Sequence, residues 1–193
     1  IMENIQPYNG MTLTISPYDR TKYSEVVEAN ENFAVEKFSN ILRVCNLIGA
    51  KNVKTEKVFV AKQTEEQNMQ GSVGVKAFSG SLESKSTYLN EKVNRLLYEA
   101  TYSGGRCDYE AAKNYLRRVR LAGDRFLENL VEMANNLNNR VQIITQEVSL
   151  SSNMESTNEL LAKISFPTAG GKFQTNSKRV SEEKYNLKIH IEF

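Results

Sequence analysis

The sequence predicts an α+β protein in which a mostly antiparallel sheet packs against a few helices. Apolar and polar residues alternate without a break over 185–193, which indicates a strand with one buried and one exposed face. Such half-exposed strands are typical of antiparallel sheets. Residues 33–48 instead repeat apolar side chains at spacings of three and four, which places them on one face of a helix.

The first half of the chain carries the signals of a strand, a helix and a long hairpin. Gly49 follows the last apolar residue of the helix, and glycine readily adopts the left-handed conformation that ends a helix. A polar run between two alternating segments predicts the tip of the hairpin. The predicted elements are a strand over 11–15, the helix with Phe33 to Ile48, a strand over 53–61, the tip over 62–70 and a return strand over 72–83.

A helical hairpin is predicted over about 87–137. Its first helix begins at Ser86 or Thr87, and its second helix runs over 109–137 with Asp108 as the N-cap. The short turn between them, 103–106, favours an antiparallel pair of helices. The apolar stripe of the first helix consists of Leu89, Val93, Leu96, Leu97 and Ala100.

The second half of the chain returns to strands, and we expect one α+β domain over 1–193. A helix followed by a hairpin occurs at 33–83 and again at 109–166. This order raises the hypothesis of a weak internal duplication, although scarce identities favour simple alternation of helices and strands. The predicted strands are 141–150, 160–166, 173–178 and 185–193.

The residue inventory argues against an enzyme. The 193 residues include one histidine, three aspartates and two cysteines, whereas enzyme sites often depend on histidine and aspartate. His190 falls on the polar face of the last strand, between Lys188 and Glu192. Cys45 falls on an apolar helical stripe, and Cys107 has no base that the sequence brings near it. We therefore predict no catalytic, cofactor-binding or metal-binding residues.

One group of basic residues is a candidate anion or nucleic-acid contact. A guanidinium group can bind phosphate through two hydrogen bonds, so a cluster of arginines indicates a phosphate or nucleic-acid contact. The alternative is a solvated helix face with internal ion pairs to Glu110 and Asp124. The six residues are Arg106, Lys113, Arg117, Arg118, Arg120 and Arg125.

Three functions follow as expectations. The first is a non-catalytic cytoplasmic interaction or assembly protein that self-associates, because long strands with uncovered edges favour pairing with another chain. The second is a nucleic-acid or phosphate binder that uses the basic residues. The third is a membrane-active hairpin formed by 71–87, a reading that its charged residues oppose. No apolar run is long enough for a transmembrane helix, no secretory leader is visible, and any targeting segment upstream would lie outside this sequence.

Overall fold

The computed structural model describes residues 11, 13–62, 77–78, 93–136, 138, 141–151 and 183–193. Three α-helices and two antiparallel sheets occur in these residues, which confirms the predicted α+β class. The helices are α1 (Ala29–Leu47), α2 (Tyr109–Arg118) and α3 (Arg125–Asn135), and a 3₁₀ turn (Val26–Glu28) leads into α1. The strands are β1 (Leu13–Ile15), β2 (Tyr23–Glu25), β3 (Asn52–Lys62), β4 (Ala77–Phe78), β5 (Glu99–Thr101), β6 (Ile143–Ser149) and β7 (Glu183–Glu192).

The larger sheet is organised around β7 and β3. Strand β7 lies between β3 and β6 and is antiparallel to both. The opposite edge of β3 pairs with β5 near its beginning and with β4 further along. The alternating segment at the end of the chain is therefore an interior strand, and β1 and β2 form a separate two-stranded sheet.

One face of this sheet forms the core. Leu187, Ile189 and Ile191 of β7 are fully buried, as the alternation predicts. In β3 the buried positions change from odd to even numbers, because a bulge at Glu56 shifts the register between Thr55 and Lys57. Each fully buried aliphatic side chain contributes roughly 1.5–3 kcal/mol to folding.

Helix α1 packs against this buried face and contacts β7, α2 and α3. Its apolar stripe is buried, including Phe33, Phe38 and Ile41. Gly49 ends the helix with a φ of 79°, and its N–H donates to the carbonyl of Asn46 at 3.1 Å. The predicted helix and its glycine cap are both confirmed.

The predicted helical hairpin over 87–137 is not confirmed, because the end of its first helix is a strand. Residues 99–101 form β5, and the amide of Thr55 donates to the carbonyl of Tyr98 at 2.8 Å. Tyr98, Ala100 and Tyr102 alternate with the exposed Glu99 and Thr101. Period-two alternation was therefore present, and pairing with β3 prevailed over the helical spacing of Leu96 and Ala100.

The second predicted helix, 109–137, is two helices. Helix α2 ends at Arg118, Arg120 has a φ of 57°, and Gly123 has a φ of 98°. The left-handed region suits glycine, and here it permits a reversal before Asp124 caps α3. Leu121 between them is fully buried, so its burial stabilises the break.

Several predictions lie outside the described residues. They are the hairpin tip 62–70 beyond Lys62, the return strand 72–83 and the 71–87 segment except for Ala77–Phe78, the helix start at 86–87, and the strands 160–166 and 173–178. Ala77–Phe78 pair with β3 in antiparallel fashion, as predicted for the return strand. The single domain and the internal duplication stay predictions. Across the described helices, none combines the length and apolarity needed to cross a membrane.

Candidate functional site

The six basic residues singled out by sequence do not share one helix face. Arg106 lies in the loop before α2, Arg120 lies beyond its end and Arg125 begins α3. Lys113 Nζ lies 2.9 Å from Glu132 Oε1, and Arg117 Nη1 donates to Asn114 Oδ1 at 2.9 Å. Arg120 does not continue the helix face of Lys113 and Arg117, because the chain reverses after Arg118.

Two of the six, Arg118 and Arg120, belong to a different group that the tertiary structure assembles. We call it the basic patch and define it as Lys22, Arg43 and Arg118, which lie near Tyr115, together with Arg120, which lies near Asp19. Arg43 comes from α1, Arg118 from α2, Arg120 from the α2–α3 connection and Lys22 from the turn before β2. The three arginines are exposed, whereas Tyr115 is half-buried.

Tyr115 holds a fixed position at the centre of the basic patch. Its hydroxyl donates to Asn40 Oδ1 of α1 at 2.7 Å, and the guanidinium carbon of Arg118 lies 5.0 Å from its ring centroid. Burial raises the pKa of Tyr115, and the nearby charges of Arg118, Arg43 and Lys22 oppose that rise. Asn40 lies one helical turn before Arg43 on α1, so the bond from Tyr115 brings Arg43 and Arg118 to the same part of the surface.

Two carboxylates border the four cations of the basic patch, so a net positive charge remains. Lys22 Nζ lies 3.0 Å from Glu36 Oε1 and 3.9 Å from Asp19 Oδ2. The pKa of Asp19 is lowered mainly by hydrogen bonds from Thr21, with smaller contributions from Lys22 and Arg120. In the described part of the chain, no carboxylate lies within ion-pair distance of Arg43, Arg118 or Arg120.

His190 lies on the exposed face of the larger sheet, beside Lys188 and Glu192 as predicted. Its Nδ1 lies 2.8 Å from Thr145 Oγ1, and its Nε2 lies 3.1 Å from Glu192 Oε1. Lys188 on the same strand lies 2.8 Å from Glu56 Oε2 of β3. Both ring nitrogens of the histidine are therefore occupied, one by Thr145 of the neighbouring strand β6 and the other by Glu192 of the same strand.

A buried ion pair that sequence reasoning missed joins three elements. Lys37 Nζ of α1 lies 2.7 Å from Asp124 Oδ2 at the start of α3, with side chains 1% and 8% exposed. The same ammonium donates to the carbonyl of Ser149 in β6 at 2.9 Å. A signal was present, because Lys37 lies four residues from both Phe33 and Ile41 on the apolar stripe of α1.

The two cysteines occupy different surroundings. Cys45 is fully buried, as predicted, and burial raises the pKa of its thiol to about 12. Cys107 packs half-buried against the core just before the cap residue Asp108. Among the described residues, no three histidine, cysteine, aspartate or glutamate side chains are grouped as metal ligands.

The two-stranded sheet presents a second surface, the apolar ribbon face, which we define as Leu13, Ile15 and Tyr23; Glu25 lies on the same face, opposite Leu13. Leu13 and Ile15 are 39% and 47% exposed, and Tyr23 pairs with Ile15 across the strands. The opposite face is polar and turned inward, since Ser24 is buried and its Oγ accepts from Asn32 Nδ2 of α1 at 2.8 Å. In most half-exposed strands the apolar face is buried and the polar face is exposed, and the two-stranded sheet shows the opposite orientation.

The chain matches no protein-family model, no curated protein and no solved structure in the comparisons with known proteins. Its class is therefore defined by its fold alone, an α+β protein with two antiparallel sheets.

Proposed function

We propose that this chain is a non-catalytic cytoplasmic interaction or assembly protein that self-associates through the apolar ribbon face. The observation that carries the proposal is the outward orientation of Leu13 and Ile15, which are two of the four large apolar side chains that stand exposed among the described residues. Neighbouring exposed apolar side chains are typical of interaction surfaces. The exposure of Leu13 and Ile15 supports this proposal of self-association.

A second copy of the chain is the occupant that fits this surface. Strand β1 contains no charged residue, and within the described residues it pairs only with β2. Antiparallel pairing of β1 with its copy, centred on Thr14, would set Leu13 opposite Ile15 on both sides of the centre. Two strands alone form a marginally stable sheet, so additional strands from a partner would stabilise it.

The expected association is weak and depends on concentration. Four partly exposed aliphatic side chains would be covered, at roughly 1 kcal/mol each. A total of about 4 kcal/mol corresponds to a dissociation constant near 1 mM, which backbone hydrogen bonds between the strands would lower. A reversible dimer at high concentration is the form that this surface supports.

The side chains that could carry chemistry are engaged in contacts within the fold, which supports the non-catalytic part of the proposal. His190 contacts Thr145 and Glu192 through its two ring nitrogens, and the Cys45 thiol is buried. Lys37 and Asp124 neutralise each other in the core. These groups stabilise the fold, whereas the side chains of the apolar ribbon face do not pack against the described core.

The test compares the wild-type chain with I15K and I143K by sedimentation equilibrium. Ile143 is a matched control because it is an isoleucine in a strand of the other sheet and is 61% exposed. We expect the wild-type mass to rise with concentration, I15K to weaken association at least tenfold and I143K to have no effect. A wild-type chain that stays monomeric up to about 1 mM would contradict the proposal.

A further inference from the structure

We propose that the basic patch binds the phosphate backbone of a nucleic acid. The patch lies on elements other than the β1 strand proposed for self-association, so this inference does not rest on that function. The sequence analysis considered six basic residues as a nucleic-acid contact. The basic patch keeps two of these six and leaves out the other four. Arg43 and Lys22, which lie far from Arg118 in sequence, take their place.

The charge of the patch is the first reason for this inference. Two cations on the larger sheet have carboxylate partners, Lys54 with Glu99 at 3.1 Å and Lys188 with Glu56 at 2.8 Å. Arg43, Arg118 and Arg120 have none within the described part of the chain, although they come close together from separate elements. A group of guanidiniums without ion-pair partners among the described residues is complementary to phosphate, which each can bind through two hydrogen bonds.

The shape of the patch is the second reason. The three arginine side chains are exposed on the surface, so they suit several successive phosphates better than one enclosed small molecule. The hydroxyl of Tyr115 is engaged by Asn40 and Arg118 stands over its ring, so base stacking on that ring face is blocked. Binding should therefore depend on the backbone and show little sequence preference.

The dependence on salt gives a quantitative expectation. Each phosphate that a cation neutralises releases counterions, which gives a slope of about −0.7 to −0.9 in log K against log salt. Three guanidiniums predict a total slope of roughly −2 to −3. Removing one of them should make the slope less steep by about one.

The experiment measures fluorescence anisotropy of a labelled oligothymidylate with the full chain between about 20 and 200 mM NaCl. The variants are R43Q and R118Q, and the matched control is R106Q, an exposed arginine outside the patch. We expect R43Q and R118Q each to weaken binding roughly five- to tenfold at low salt, and R106Q to leave it unchanged. Thermal melts establish that each variant is folded, and R118K tests whether the guanidinium fork is needed as well as the charge.

The possible outcomes separate this inference from other anionic partners. Equal affinity for single-stranded DNA and RNA of the same length would support backbone recognition. Absence of binding at about 20 mM NaCl, or equal losses for R43Q and R106Q, would overturn the inference. Binding to anionic phospholipid vesicles without binding to the oligonucleotide would also overturn it and assign the patch to a membrane surface.

Discussion

The beginnings of α2 and α3 use the same local device in different surroundings. Asp108 Oδ1 accepts from the amide of Ala111 at 3.0 Å, and Asp124 Oδ1 accepts from the amide of Leu127 at 3.2 Å. Asp108 is exposed to solvent, whereas the side chain of Asp124 is 8% exposed and lies 2.7 Å from Lys37. One aspartate only begins a helix, and the other also fixes that helix to the rest of the fold.

This difference shows how burial changes the energetic role of a residue. An N-cap contributes about 1 kcal/mol wherever it lies, because it satisfies an amide at the start of a helix. A buried charge also needs its partner, since removal of either one leaves the other charge unpaired away from water. Through Lys37 and the carbonyl of Ser149, Asp124 connects α3 with α1 and β6.

The largest expected effect comes from D124A, which removes both the cap and the charge. We expect a loss of about 4–6 kcal/mol in the free energy of unfolding, measured by urea denaturation. The control D124N keeps a capping oxygen, so it should retain about 1 kcal/mol more stability than D124A. Equal stability of D124A and D108A would show that burial adds nothing and would remove the contrast between the two helix starts.

A smaller effect is expected for D108A, because only the cap is lost at an exposed site. The predicted decrease is about 1 kcal/mol, again from urea denaturation. Substitution D108N should restore most of this loss, since asparagine is also a good N-cap. A decrease above about 3 kcal/mol would mean that Asp108 has a structural role beyond the capping bond.

The smallest expected effect on stability comes from breaking the ion pair of Lys188 with Glu56, which caps no helix. The hydrogen bond that Glu56 receives from Lys188 is the main cause of the lowered pKa of Glu56. A lowered pKa in the folded state favours folding above the unfolded pKa, and this contribution disappears as the pH falls through the folded pKa. In K188M we expect the pKa of Glu56 to rise toward the ordinary value of a glutamate, measured by carboxyl NMR titration.

The control for this titration is K54M, which removes a different exposed ion pair on the same sheet face. It should leave the pKa of Glu56 lowered. An unchanged value in K188M would assign the shift to a neighbour other than Lys188, and His190 and Lys57 are the smaller contributors present.

Local pattern predicted the elements whose stability depends mainly on their own side chains. The buried stripe of α1, its end at Gly49 and the alternation of β7 were all readable from sequence. Ala100 was assigned to a helix, but a spacing of four from Leu96 places both residues on one face in a helix and also in a strand. The available edge of β3 decided that competition, and an edge is a property of the folded sheet.

The candidate surfaces were predictable only in part. Sequence reasoning found Arg118 and Arg120 because they are near one another along the chain. It missed Arg43 and Lys22 because their proximity to Tyr115 arises from packing among α1, α2 and the turn before β2. It recognised β1 as a strand, yet alternation alone gave no means to see that its apolar side faces outward.

By itself, the sequence determined the fold class, the helix and strand periods, and the placement of His190 on an exposed sheet face. These properties follow from side chains that repeat at fixed intervals along one chain segment. Only the tertiary structure decided which cations meet around Tyr115, that Lys37 pairs with Asp124, and that Leu13 and Ile15 remain exposed. Each of these depends on contacts between segments distant in sequence, which no local period encodes.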